Sequence, residues 1–220
     1  MSATQKTRDL VIAVDGPAAS GKGTVAEGLA QHYALPYLDT GTLYRAVGVS
    51  VLAAGGDPGN ADLATEIAAR LRPEAINPDD IRTPAAGEAA SVVAAHPQVR
   101  AALKDLQVRF ARQPGGAVLD GRDIGTVIAP FATAKLFVTA DQGVRAERRR
   151  RQPVGLGQQV GFEDVLADIV RRDERDAGRG AAPLARAEDA VLLDTTHLTI
   201  EAAADAARRI VEAARDRGAT

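Results

Sequence analysis

Residues 10–14, Leu10-Val11-Ile12-Ala13-Val14, form a short aliphatic run that passes through Asp15 into Gly16-Pro17-Ala18-Ala19-Ser20-Gly21-Lys22-Gly23-Thr24. An apolar run this short, closed by Gly and Pro, reads as a strand buried on both faces. The residues from Lys22 onward read as a helix to Tyr33, so strand, glycine-rich turn and helix follow one another directly. Glycines let successive backbone N–H groups approach a phosphate, the helix start adds its positive end, and Lys22 adds a point charge. The usual phosphate-binding pattern has Ser or Thr immediately after the lysine. Here Gly23 stands in that place and Thr24 follows, still in the first helical turn, where its hydroxyl can face a phosphate or a hydrated magnesium ion.

The rest of the chain repeats the strand–helix alternation. Strands are predicted at 36–39, 117–119, 135–140 and 190–194, and helices at 42–54, 61–71, 84–95, 97–113, 142–151, 162–178 and 200–217. This order implies a central parallel sheet flanked by helices, with ligands at the carboxyl ends of its strands. The 220 residues suit one α/β domain, and the supply suits it too: 45 % hydrophobic but only 3 % aromatic, hence aliphatic strands and Ala-rich helices.

Several functions are excluded or disfavoured. The absence of cysteine rules out disulfides, thiolate catalysis and Cys-zinc sites. His32, His96 and His197 lack a paired metal-ligand spacing, so no metal ligand set is expected of them. A guanine-reading Asn-Lys-x-Asp tetrapeptide is missing, which argues against a GTPase. The net charge is −2, and the arginine runs at 148–151 and 171–179 carry no aromatics to stack bases, so nucleic acid is not an expected partner. The apolar run at 10–14 is far below the ~18 residues of a membrane span. A soluble, cytoplasmic protein is expected.

A small-molecule kinase needs a second anionic pocket beside the first. Arginines stand where the loops at the strand ends should be. Thr40 follows the second strand and Arg45 enters the next helix. Asp120-Gly121-Arg122-Asp123 follows the third. Arg172, Arg175, Asp176 and Arg179 share one helix face at i, i+3, i+4 and i+7.

The sequence thereby resembles the bacterial cytidylate kinases. The resemblance rests on 14–17 through Gly23-Thr24, on Leu38-Asp39-Thr40-Gly41 with Tyr44-Arg45, on Ile81-Arg82-Thr83 and Ala89-Ala90-Ser91, and on 97–100, 120–126 and 172–184. It implies a P-loop nucleoside monophosphate kinase fold that transfers phosphate from ATP, carried with Mg²⁺, to CMP and dCMP. It implies ATP at 16–24, with Lys22 on the phosphates. The acceptor phosphate is expected at Thr40, Arg45 and Arg122, its sugar and phosphate region near Arg172 and Asp176, with Arg179 also in the site, and its base at Ser91, Arg100 and Asp123. Lys22, Arg122, Arg172 and Arg179 are the expected catalytic cations. A monomer is expected.

Cytosine offers an amino donor beside two acceptors, which an acidic or hydroxyl oxygen plus an arginine match; uracil reverses two of these positions. Mispairing buried groups can cost up to about 10⁴-fold in use of the wrong base. The expected division is a core at 9–56 and 114–220, a monophosphate-binding insertion at 57–113 and a small lid at 148–161. Cytidylate kinases commonly carry a small antiparallel sheet in that insertion, but residues 72–80 are too few for the hairpin, so a shortened insertion is expected. Two other readings remain open at this point: a P-loop kinase for another monophosphate or a hydroxyl acid such as shikimate, and a non-catalytic nucleotide-dependent module that binds nucleic acid.

Overall fold

The computed structural model describes residues 9–151 and 161–218. Its sheet has five parallel strands in the order β2-β3-β1-β4-β5. They are β1 (Leu10–Asp15), β2 (Tyr37–Asp39), β3 (Gly116–Gly121), β4 (Ala134–Thr139) and β5 (Val191–Asp194). The helices are α1 (Lys22–Tyr33), α2 (Thr40–Ala53), α3 (Ala61–Ala69), α4 (Pro84–Val93), α5 (Pro97–Ala111), α6 (Gln142–Arg151), α7 (Phe162–Ala177) and α8 (Ile200–Gly218). With β1 in the centre, its residues Ile12, Ala13 and Val14 are wholly shielded from solvent. Each such aliphatic side chain larger than Ala contributes about 1.5–3 kcal/mol by leaving water.

Alternation along β1 divides the core. Ile12 and Val14 face α1 and α8 through Leu29, Ala207 and Val211. Val11 and Ala13 face the other way, toward Ala111 of α5 and toward Ile124 and Ile128 beyond β3. A separate cluster holds α2, α3, α4 and α5 together through Leu43, Val47, Ala64, Val93 and Leu103. Between α3 and α4 the chain makes only two 3₁₀ turns, Pro73–Ala75 and Asp80–Arg82, and no strand, as the shortness of residues 72–80 requires. The α6–α7 pair packs through Ala146, Val165 and Ile169 onto Ala18 and Ala19. Residues 152–160, the middle of the expected lid, lie outside the described residues. Among the described residues no helix is long and apolar enough to cross a membrane.

Three differences from the sequence reading matter for the site. β3 continues past Leu119 through Asp120 and Gly121, because the ladder pairs them with Val14 and Asp15 of the central strand despite their polarity. α2 begins at Thr40 rather than 42, since the Asp39 carboxylate caps it by accepting from Gly41 N at 2.8 Å. Arg45 therefore sits in the second turn of α2. A single π-helical turn, Ile124–Ile128, was not anticipated. Register brings Asp15 beside Gly121 and Asp39 beside Asp120, so the ends of β1, β2 and β3 form one ledge.

Candidate active site

The glycine-rich turn rises from that ledge. Gly16 has φ of 155°, and a Cβ there would lie 2.0 Å from the Val138 carbonyl oxygen, so no side chain fits. The turn is held from behind: Thr195 Oγ1 donates to the Ser20 carbonyl at 2.8 Å and Arg145 Nη1 to the Ala18 carbonyl at 3.2 Å. Arg145, on α6, also grips Asp173 of α7 with two bonds of 3.0 and 2.5 Å, tying the turn to both helices. Two sites along the turn depart from what Ser or Thr after the lysine would give. A Cβ on Gly23 would meet only the Tyr37 hydroxyl at 3.8 Å and Asp120 Oδ2 at 3.9 Å, leaving open room there. Thr24 is exposed on the first turn of α1.

Lys22 reaches toward the end of β3, its Nζ 3.6 Å from Asp120 Oδ2. Burial, and after it the Arg122 guanidinium, depress the ammonium pKa below its usual range. The Asp120 carboxyl is pushed up by burial, and Tyr37 donates its hydroxyl to it at 2.8 Å.

Opposite the turn, the predicted arginines converge. A cavity of about 420 Å³ has Ala18, Ala19 and Lys22 on one wall and Arg45, Arg122, Arg149 and Arg172 on the other. Arg45 is aimed by the Ile81 carbonyl, which accepts from its Nη1 at 2.9 Å, and Gly87 of α4 leaves it space. Arg122 Nε donates to Asp176 Oδ2 at 2.7 Å, and the same carboxylate pairs with Arg179. Arg172 has no acceptor among the described residues; its Nε is shielded from solvent and unsatisfied. Burial and the neighbouring Arg122 push the Arg172 pKa down to about 9. Arg45 and Arg172 make no ion pair with a carboxylate among the described residues, which suits a site that takes an anion.

A smaller pocket of about 50 Å³ continues from the cavity, lined by Thr40, Tyr44, Ser91, Arg100, Asp123, Asp176 and Arg179 among others. Arg100 Nη2 donates to Asp123 Oδ2 at 2.5 Å, and its guanidinium lies 5.5 Å from the centroid of the Tyr44 ring. The Ser91 hydroxyl is buried and without a partner. Thr40 spends its hydroxyl proton on the Asp120 carbonyl at 2.8 Å, so toward a ligand it offers lone pairs rather than a donor.

A sequence profile of the family described as Cytidylate kinase matches residues 12–213. The chain belongs to the cytidylate kinase family. It is 62 % identical over 207 residues to the cytidylate kinase of Caulobacter vibrioides (strain NA1000 / CB15N), covering 94 % of this chain and 97 % of that one. It is 63 % identical over 206 residues to that of Xanthobacter autotrophicus, covering 94 % and 99 %. Among solved structures, a gluconokinase from Sinorhizobium meliloti 1021 superposes with a TM-score of 0.52 at 16 % identity over 95 % of each chain, a likeness of fold.

Within this family member, Thr40, Arg45, Ser91, Arg100, Arg122, Asp123, Arg172, Asp176 and Arg179 all line the two connected pockets, whereas of the predicted turn 16–24 only Ala18, Ala19 and Lys22 do. Arg175 leaves its helical neighbours and pairs with Glu88 of α4 at 2.8 Å, because at i+3 from Arg172 it is turned toward the insertion rather than the cavity. The basic run at 148–151 also divides. Arg148 donates to Thr195 O at 2.7 Å, Arg149 and Arg150 line the cavity, and Arg150 and Arg151 clasp Glu147 at 2.9 and 2.7 Å. Tyr44 and Arg149 were not among the predicted site residues. Tyr44 lies four residues after Thr40 on one helix face, a spacing that could have placed it there. Arg149 had no such signal, since four consecutive arginines point in all directions round a helix.

Proposed function

We propose that the chain transfers the terminal phosphoryl group of ATP to the phosphate of CMP, and also of dCMP, by direct in-line displacement. The observation that carries this reading is Arg172, held half-buried and unpaired between Arg122 and Lys22, facing the donor turn across one cavity. An acceptor phosphate is already anionic, so no strong general base is required. Lys22, Arg45, Arg122 and Arg172 would then spread positive charge around the transferring group, the largest lever in such chemistry.

In this reading ATP lies on residues 16–24 and the acceptor between Thr40, Arg45 and Arg122, with Asp176 and Arg179 beside its sugar. Base selection is supported by the Arg100–Asp123 pair and by Ser91 Oγ, whose lack of a partner leaves it ready for the cytosine amino group or ring. Magnesium carried with the nucleotide supplies further charge neutralisation when bound. Asp120, whose Oδ2 lies near Gly23, and Asp39, its register neighbour, are the carboxylates that would face the hydrated ion. Residues 57–113 act as the acceptor-binding insertion. Residues 148–161 act as the lid in this reading, their closure excluding water from the transfer.

The test is an acceptor panel of CMP, dCMP, UMP and AMP, scored by acceptor-stimulated ADP release. CMP is expected to give the highest kcat/KM, with dCMP near it and UMP and AMP well below. Faster turnover of AMP, or no stimulation by any pyrimidine monophosphate, would sink the reading.

A further inference from the structure

Asp15 is the last residue of the central strand and the residue immediately before the donor turn. Its side chain points not into that turn but sideways, onto the end of β3. Oδ1 accepts from Ile124 N at 2.8 Å and Oδ2 from Gly125 N at 2.7 Å, a two-pronged grip made at 4 % exposure. Ile124 and Gly125 directly follow Arg122 and Asp123 and open the π-helical turn. The loop that carries both acceptor-facing side chains is therefore tied at two points. Below, Gly121 is paired in the sheet; above, Asp15 holds the next two amides. Between the ties, Arg122 extends to Asp176 and Asp123 to Arg100.

We propose that Asp15 is a positioning residue for the monophosphate acceptor, setting the placement of Arg122 and Asp123 through the Ile124 and Gly125 amides. This rests on the CMP reading given above. The chemistry of the grip is demanding. Two N–H donors need two acceptor oxygens, which a carboxylate has and a carboxamide lacks, since its amino group would confront one of the amides. Space is equally restrictive. A Cβ on Gly125 would stand 3.3 Å from Asp15 Oδ2 and 3.2 Å from Lys135 Cδ, so any side chain at 125 presses on the carboxylate. Burial pushes the Asp15 carboxyl up to about 6, with Asp123 adding to the rise and the two amides and Arg122 opposing it. At neutral pH the carboxylate form persists, and the loop amides are what hold it.

The experiment uses the full chain with Asp15→Asn, measuring KM for CMP at saturating ATP and KM for ATP at saturating CMP. Hydrogen exchange at the Ile124 and Gly125 amides is followed in parallel. The expected result is a KM for CMP raised about tenfold or more, a KM for ATP within about twofold of wild type, and faster exchange at both amides. Asp15 adjoins Gly16, so a merely structural role would disturb the donor side at least as much. Equal rises in both KM values would overturn the proposal, as would an unchanged KM for CMP with exchange accelerated.

If Asp15→Asn does not fold, Gly125→Ala takes its place. It keeps the carboxylate but crowds it, and is expected to give the same split between the two KM values, smaller in size; no split overturns the proposal. Should wild type phosphorylate a different monophosphate, the reading of CMP falls while the Asp15 test is run on that acceptor. Should wild type use CMP and the variant bind it normally, only the positioning role falls.

Discussion

The two halves of the site are built from different material. The side proposed for the donor is one stretch of nine residues, 16–24, that offers mainly backbone and a single lysine. The acceptor side draws side chains from α2, α4, α5, the end of β3 and α7, spanning Thr40 to Arg179. A cradle of backbone is insensitive to most side chains but intolerant of any at a few places, such as Gly16 against the Val138 carbonyl. A pocket of ionised side chains is the reverse: it depends on each side chain, and removing a paired member such as Asp123 or Asp176 strands the arginine that it holds. The first can be made locally, while the second exists only when the whole sheet edge is assembled.

That contrast can be broken at several points, beginning with the largest effect. Lys22→Met should lower kcat by about 10³-fold, some 4 kcal/mol of barrier, with little change in melting temperature. Retention of more than about a tenth of wild-type turnover would remove Lys22 from the chemistry. Arg172→Met should cost nearly as much, and it should also raise thermal stability in the absence of nucleotide, since an unpaired cation is relieved. A drop in both activity and unliganded stability would contradict it.

Asp123→Ala leaves Arg100 buried and unpaired. It is expected to reduce kcat/KM for CMP by about 10²-fold, near 3 kcal/mol, while the KM for ATP stays within about twofold. Similar losses for both nucleotides would erase the distinction between the two halves.

A third contrast is set by pH. Asp15 rises from the ordinary 3.8 to about 6 on folding. Its favourable contribution is complete below about pH 4 and is lost as pH climbs through 6, because the folded state must then bury a charge. Asn at this position carries no such dependence. Between pH 4 and 7.5, denaturant titrations should show the stability of Asp15→Asn relative to wild type improving by up to about 3 kcal/mol. A constant offset would mean the carboxyl is not titrating there.

The smallest effect is expected at Gly23. Its position has room for a methyl group, so Gly23→Ala should change stability by less than about 1 kcal/mol and leave the KM for ATP nearly unaltered. A large loss would mean that the backbone at Gly23 itself must come close to the nucleotide.

How much of this was legible in the sequence follows the same divide. Residues 10–24 declare strand, turn and helix in order, and the structure has all three with α1 starting at Lys22 as expected. The seven-residue periodicity of Arg172, Asp176 and Arg179 was enough to put them on one face. It could not show that Arg175 would be claimed by Glu88, because that contact comes from a helix 87 residues away. Asp120 was read as loop since a carboxylate is a poor strand former; only its ladder with Val14 keeps it in the sheet. The grip of Asp15 on Ile124 and Gly125 spans more than 100 residues and uses backbone donors, which leave no trace in residue type. That Ser91, Arg100 and Asp123 share one small pocket was foreshadowed by resemblance alone, for Ser91 and Arg100 carry no local pattern that separates them from solvated helix residues.

The order of the strands bears on how the chain is made. β1 is translated first, yet its neighbours on either side are residues 116–121 and 134–139. At a ribosomal pace of about 5–20 residues per second, the first strand waits on the order of ten seconds for both to emerge. Until then its bare aliphatic edge, and the phosphate turn attached to it, have no sheet to belong to. The youngest polypeptide is thus at greatest risk of sticking to its siblings through the very segment that is most deeply sheltered in the finished enzyme.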